Sequence, residues 1–202
     1  MTPKSSKTFG GIGAILMVLG VLPTINLLFI VELIGAILVL VALRGFASFY
    51  DEDGIFKNAL YGIIAGIAGV AIGIAVFLPN LTDLLRKAYP NWNGSFSTIT
   101  SLSGMTPNTS SISSGDYTSL ITAGILALTI LCVFSVVESV FDRRSLRQLS
   151  EKTNVGLFST AGRLLLTGAV LVIAVGSGLF LMWIGALILA IAFFRIKLPQ
   201  NP

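Results

Sequence analysis

The chain has 202 residues and a formal net charge of +4; 54% of its residues are hydrophobic, 11% are charged, and the mean hydropathy is +0.92. These values lie far from the globular average and exclude a water-soluble domain of any size. With no histidine and a single cysteine, Cys132, the chain has no disulfide framework, no Cys-based metal site and no imidazole ligand for zinc or haem.

Taken in chain order, apolar blocks lie at about 9–22, 25–43, 58–78, 118–140, 157–174 and 179–194. A helix of about 20 residues crosses about 30 Å of hydrocarbon, so the blocks predict an all-α polytopic membrane protein of about six transmembrane helices. The first block leads directly into the second with no small-residue cleavage site, and reads as a span rather than a signal peptide. It ends at Pro23-Thr24, and the fifth turns at Gly176-Ser177-Gly178. Each of these two is either a full span or a short, re-entrant helix.

Ten of the thirteen Lys and Arg residues fall in four segments: Lys4 and Lys7; Arg44 and Lys57; Arg143, Arg144, Arg147 and Lys152; Arg195 and Lys197. Cytoplasmic flanks collect such residues, so these segments are expected inside and each excursion between them is a hairpin. The three hairpins are about 9–43, 58–140 and 157–194 of a single membrane domain, with both termini cytoplasmic. The expected location is the cell membrane.

An internal repeat supports this division. Ile34 to Ala42 aligns without gaps on Ile184 to Ala192, and Phe9 to Gly13 sits against Phe158 to Gly162. The middle pair echoes it faintly through Gly62 and Gly124. All copies begin inside, so the repeat is parallel. Small residues then indicate how helices meet. Gly62 with Gly66, and Gly69 with Gly73, form GxxxG pairs in the third block. These let backbones approach closely and place that helix at the centre of the bundle or on a homodimer face.

Residues 79–117 form the one large loop, rich in Ser, Thr, Asn and Gly and expected outside the cell. Its sequons are Asn80-Leu81-Thr82, Asn93-Gly94-Ser95 and Asn108-Thr109-Ser110. Asn80 reads as the N-cap of a short amphipathic helix, 81–89, lying on the outer surface, so glycans are expected at Asn93 and Asn108 only. Tyr89 and Trp92 suit a membrane interface. From Ser95 to Asp116 there is too little apolar content to fold alone.

Two ionisable side chains fall inside spans, Glu32 and Arg163. Charge there is expensive, so each is a functional candidate. Arg163 can snorkel to the cytoplasmic interface. Glu32 is short and its repeat counterpart is Met182; it is either an ion or proton site, a neutral acid, an anchor for a partner's cation, or a structural carboxylate. Their depths differ too much for an easy salt bridge between them. Glu138, Asp142, Arg143, Arg144 and Arg147 mark the inner end of the fourth block as a topology anchor, and the three arginines suit anionic lipid headgroups. Phe141, Leu146 and Leu149 could lay this segment on the membrane. Asp51-Glu52-Asp53-Gly54 lacks the ligand pattern of a calcium loop and reads as a turn.

No catalytic triad, metalloprotease motif or nucleotide-binding glycine pattern occurs, so no enzyme activity, cofactor or metal is expected. No basic face is dense enough for nucleic acid. The expected partners are membrane lipids and either other protein subunits or further copies of the chain.

The motifs Phe9-Gly10-Gly11-Ile12-Gly13-Ala14, Leu33-Ile34-Gly35-Ala36-Ile37-Leu38, Phe49-Tyr50-Asp51-Glu52-Asp53-Gly54-Ile55-Phe56 and Trp183-Ile184-Gly185-Ala186 give the chain a layout that resembles a family of small archaeal and bacterial multi-pass membrane proteins of uncharacterised function. The resemblance implies a fold and a location and brings no catalytic residues. The resulting expectation is a non-catalytic accessory or structural subunit of a membrane complex, or a self-associating bundle. The alternative is a small ion or solute transporter or channel with Glu32 as its intramembrane carboxylate.

Overall fold

A computed structural model describes residues 2–20, 28–175 and 177–197. Among them are six α-helices, two short 3-10 segments and no strand. The helices are α1 (Pro3–Gly20), α2 (Leu28–Tyr50), α3 (Asp53–Ala88), α4 (Ser114–Thr153), α5 (Leu157–Val175) and α6 (Gly178–Arg195). Four of them, α2, α3, α4 and α6, are long and apolar enough to cross a membrane. The first and fifth, expected to be marginal, fall short of that test. Pro23-Thr24 and Gly176, where interruptions are expected, lie outside the described residues.

The helices overrun the apolar blocks because local signals start and stop them. Thr2 accepts the Ser5 N–H at 3.3 Å as an N-cap, and Pro3 takes the first helical position, so α1 begins well before Phe9. At the far end of α2, Asp51 adopts φ 51° and the Glu52 N–H returns to the Ala47 carbonyl at 2.9 Å. That left-handed closure turns the chain at once into α3, as the turn reading of Asp51–Gly54 expects. Asn154, φ 54°, does the same after α4. Thus 44–57 and 141–156 are mostly helix with tight turns, not loops.

The chain divides into two compact units, Met1–Gly66 with Phe134–Pro202, and Ile67–Val133. In the first, α1 packs on α2 and on α6, and α5 packs on α6. Its core gathers at helix ends. Phe193 meets Phe158 edge-on at 5.0 Å and stacks on Phe46 at 6.2 Å, with Ile55, Leu149 and Ile196 also fully buried. Leu146 and Leu149, expected to lie on the membrane surface, are in this core because α4 stays helical and turns them inward.

The duplication is visible in the packing. Gly35 has Met17 N within 2.8 Å of where a Cβ would stand, and Gly185 has Leu165 N at 3.4 Å. Gly20 packs on the Cβ and Cα of Glu32 as Gly168 packs on Met182. Glu32 and Met182 are therefore equivalents, as the alignment places them. The partners on α1 and α5 match at a register one residue from that of the Phe9–Gly13 alignment. The two glycines of the middle pair do not match in this way: a Cβ on Gly62 would face Asp142 Oδ1 at 2.8 Å and the Glu138 carbonyl at 3.3 Å, and one on Gly124 would lie 3.7 Å from the Phe77 ring.

The second unit holds the C-terminal part of α3, the N-terminal part of α4 and the segment joining them. Here α3 runs on through Pro79 to Ala88, so 81–88 is the end of that helix. It is not a separate surface helix, and Asn80 lies within α3 rather than capping one. Its Nδ2 donates to the Val76 carbonyl at 3.1 Å and its Oδ1 accepts from Ser119 at 2.9 Å. The linking segment is ordered despite its composition because it satisfies the last carbonyls of α3. The Asn108 N–H bonds to Ala88 O at 2.7 Å, and Ser111 Oγ donates to Lys87 O at 2.6 Å. Trp92 is buried within it, donating to Thr98 Oγ1 at 3.1 Å. Asn93 and Asn108 are exposed.

Candidate functional site

Glu138, Asp142 and Ser145 recur at helical spacing and share one face of α4. That face meets the glycine face of α3 in the first unit. A Cβ on Gly66 would stand 2.6 Å from Glu138 Oε2, and one on Gly62 would stand 2.8 Å from Asp142 Oδ1. The GxxxG pair is therefore in antiparallel register with an ExxxD pair. It admits two carboxylates where sequence reasoning expected only a second backbone. Nor is α3 enclosed at a bundle centre, since Tyr61 and Ile64 on its other face are both 53% exposed.

The two acids line a cavity of about 60 Å³, room for a few waters or a small cation. Its remaining wall is apolar, including Met17, Val39, Leu43, Ile63 and Leu165. Ser145 anchors the polar side, its hydroxyl donating to the Ile55 carbonyl at 2.6 Å. Among the described residues the ion pairs are Lys57–Asp53, Lys87–Asp116, Arg147–Glu151 and Lys152–Glu52. None neutralises Glu138 or Asp142. No group of three His, Cys, Asp or Glu suited to a metal occurs among the described residues.

Glu32 lies near the start of α2 on the face that carries Ala36, Val39 and Leu43, all three lining the cavity. It is half-buried, and a Cβ on Gly20 would stand 2.5 Å from its own Cβ. Arg163 is exposed on α5 and is not paired with Glu32 among the described residues. Arg143, Arg144 and Arg147 are exposed on another side of α4. In the second unit Gly69 and Gly73 are buried. Gly73 lies against Leu131, its Cβ position 3.3 Å from Cγ, at an apolar groove of about 430 Å³ shared with Phe77, Gly124 and Leu128.

Sequence reasoning treated Glu138 and Asp142 as part of the basic inner rim. Their i, i+4 spacing matches that of Gly62 and Gly66, and this was the signal available. It becomes decisive only once α3 and α4 are known to pair antiparallel in this register.

The chain is similar to the uncharacterized protein MJ1644 of Methanocaldococcus jannaschii, with 26% identity over 196 residues covering 97% of this chain and 94% of that one. No solved structure matches. A family model matches residues 31–193, a span that takes in α2 to α6 up to Phe193 and every acid and arginine of the site. The chain belongs to the family described as Protein of unknown function (DUF996).

Proposed function

We propose that this protein is a multi-pass membrane protein that binds and passes protons or small cations at Glu138 and Asp142. In this reading its six helices form three hairpins in the cell membrane, its termini are cytoplasmic and 79–117 is outside. The observation that carries the proposal is the pair of carboxylates lining a small, largely apolar cavity with no cationic partner among the described residues. Intramembrane carboxylates are costly unless protonated or matched by a cation, so such a pair is suited to exchanging one for the other. Glu32, on the cavity-lining face of α2, extends the acidic path along that helix. The reading is non-catalytic and needs no cofactor.

The test is flux in proteoliposomes, with a lumenal pH dye and an imposed Na⁺ or K⁺ gradient. Wild-type protein is expected to pass protons or cations above protein-free vesicles, and Glu138→Gln and Asp142→Asn to lose that flux. No wild-type flux, or full flux in both variants, removes the proposal.

A second reading, an accessory subunit or self-associating bundle, is favoured by one feature of the outer unit. Ile125 and Leu128 are 62% and 63% exposed beside the apolar groove at Gly73 and Gly124. Extraction in mild detergent separates the two readings. Stoichiometric co-purifying subunits indicate the accessory role and an oligomer of this chain the self-associating bundle; a single copy of this chain supports the cation-handling reading.

A further inference from the structure

A second stripe on α4 consists of Val140, Arg143, Arg144 and Arg147, centred roughly 170° around the helix from Glu138 and Asp142. With Leu166 of α5 these residues line a groove of about 260 Å³. Gly162 is what lets α5 come so close, since a Cβ there would lie 3.0 Å from Arg143 Cα. Arg163 is the next residue on α5, one turn before Leu166. All four arginines are exposed.

Their charge is poorly balanced by protein. Arg147 reaches Glu151 at 3.3 Å, an exposed pair of small worth. Arg144 lies over the Phe141 ring at 5.8 Å. Arg143 and Arg163 form no ion pair among the described residues. Guanidinium forks match phosphate oxygens. Val140 and Leu166 add an apolar wall that a lipid chain would use and a free anion would not.

We infer that this groove binds the phosphodiester headgroup of an anionic phospholipid, with the first acyl carbons against Val140 and Leu166. The inference rests on the membrane reading and is independent of cation handling.

Native mass spectrometry of the detergent-solubilised full chain tests it, titrating phosphatidylglycerol, phosphatidylcholine and inorganic phosphate. Phosphatidylglycerol is expected to be retained more tightly than phosphatidylcholine and to resist displacement by inorganic phosphate. Arg143→Gln and Arg144→Gln should each weaken it roughly fivefold while leaving phosphatidylcholine unchanged. Arg86→Gln, a charge loss elsewhere, should have no effect. Equal retention of the two lipids, displacement by inorganic phosphate, or an equal loss in Arg86→Gln overturns the site. Both groove side chains are exposed, and gel filtration of each variant checks that it folds. Release of the chain from membranes by alkaline wash without detergent would overturn the membrane reading and this site together. Flux in Glu138→Gln bears only on the proposed function.

Discussion

Glu138 and Gly66 occupy each other's space: the Glu138 carboxylate fills the position where a side chain on Gly66 would begin, 2.6 Å from Oε2. The atom that must yield is the end of a flexible side chain. Gly66→Ala is therefore expected to displace the carboxylate while leaving the helix pair intact. Thermal unfolding should be little changed, while any cation flux in proteoliposomes falls. Unfolding at a much lower temperature would show that the glycine serves helix packing instead.

Gly13 and Gly35 present the opposite case. A Cβ on either would stand 2.6 or 2.7 Å from the carbonyl of the other, with further backbone nitrogen close by. Backbone cannot swing aside, so Gly13→Ala and Gly35→Ala should each cost about 1–3 kcal/mol. Gly168 and Gly178, a close pair in the last hairpin, should behave alike. The check is the thermal midpoint in detergent; an unchanged midpoint would argue against tight glycine contact in either hairpin.

Glu32 and Met182 occupy equivalent places, each with a glycine of the preceding helix against it. Gly20 touches the Cβ and Cα of residue 32, so the carboxylate is not part of the packing. Glu32→Met should fold as well as wild type, or more stably because an acid is removed from apolar surroundings. Stability and flux then separate. A stable variant without flux makes Glu32 functional, and a destabilised one makes it structural.

Replacing the two α4 acids by their amides removes charge and keeps shape. Glu138→Gln and Asp142→Asn are expected to hold or raise the thermal midpoint, because an unpaired carboxylate away from water costs more than an amide. A fall of several degrees in both would mean that a cation, bound in the resting protein, supports the fold.

Asn93 and Asn108 are exposed, while the Asn80 side chain is bonded to Val76 and Ser119. In a glycosylating host, peptide-N-glycosidase should remove a mass shift that disappears in the Asn93→Gln, Asn108→Gln double variant and persists in Asn80→Gln. No shift in the wild type would place the loop on the other side of the membrane.

Composition, hydropathy and the internal repeat were enough for the all-helical class, the long apolar helices and the likeness of the first and last hairpins. Each of these is a property of one helix or of a repeat along the chain. Where a helix ends was less legible, because Thr2, Asp51 and Asn154 act through caps and left-handed turns that extend helices past their apolar blocks. The opposed fates of neighbouring side chains could not be read at all. Asp142 and Arg143 adjoin in sequence, yet the first lines a cavity against Gly62 and the second lines a groove beside Gly162. Adjacent residues on a helix point about 100° apart, and only the helices packed on each side decide which faces the interior. The sequence alone determined that α4 carries acids and arginines; its antiparallel register with α3 and its close approach to α5 decided what each is for.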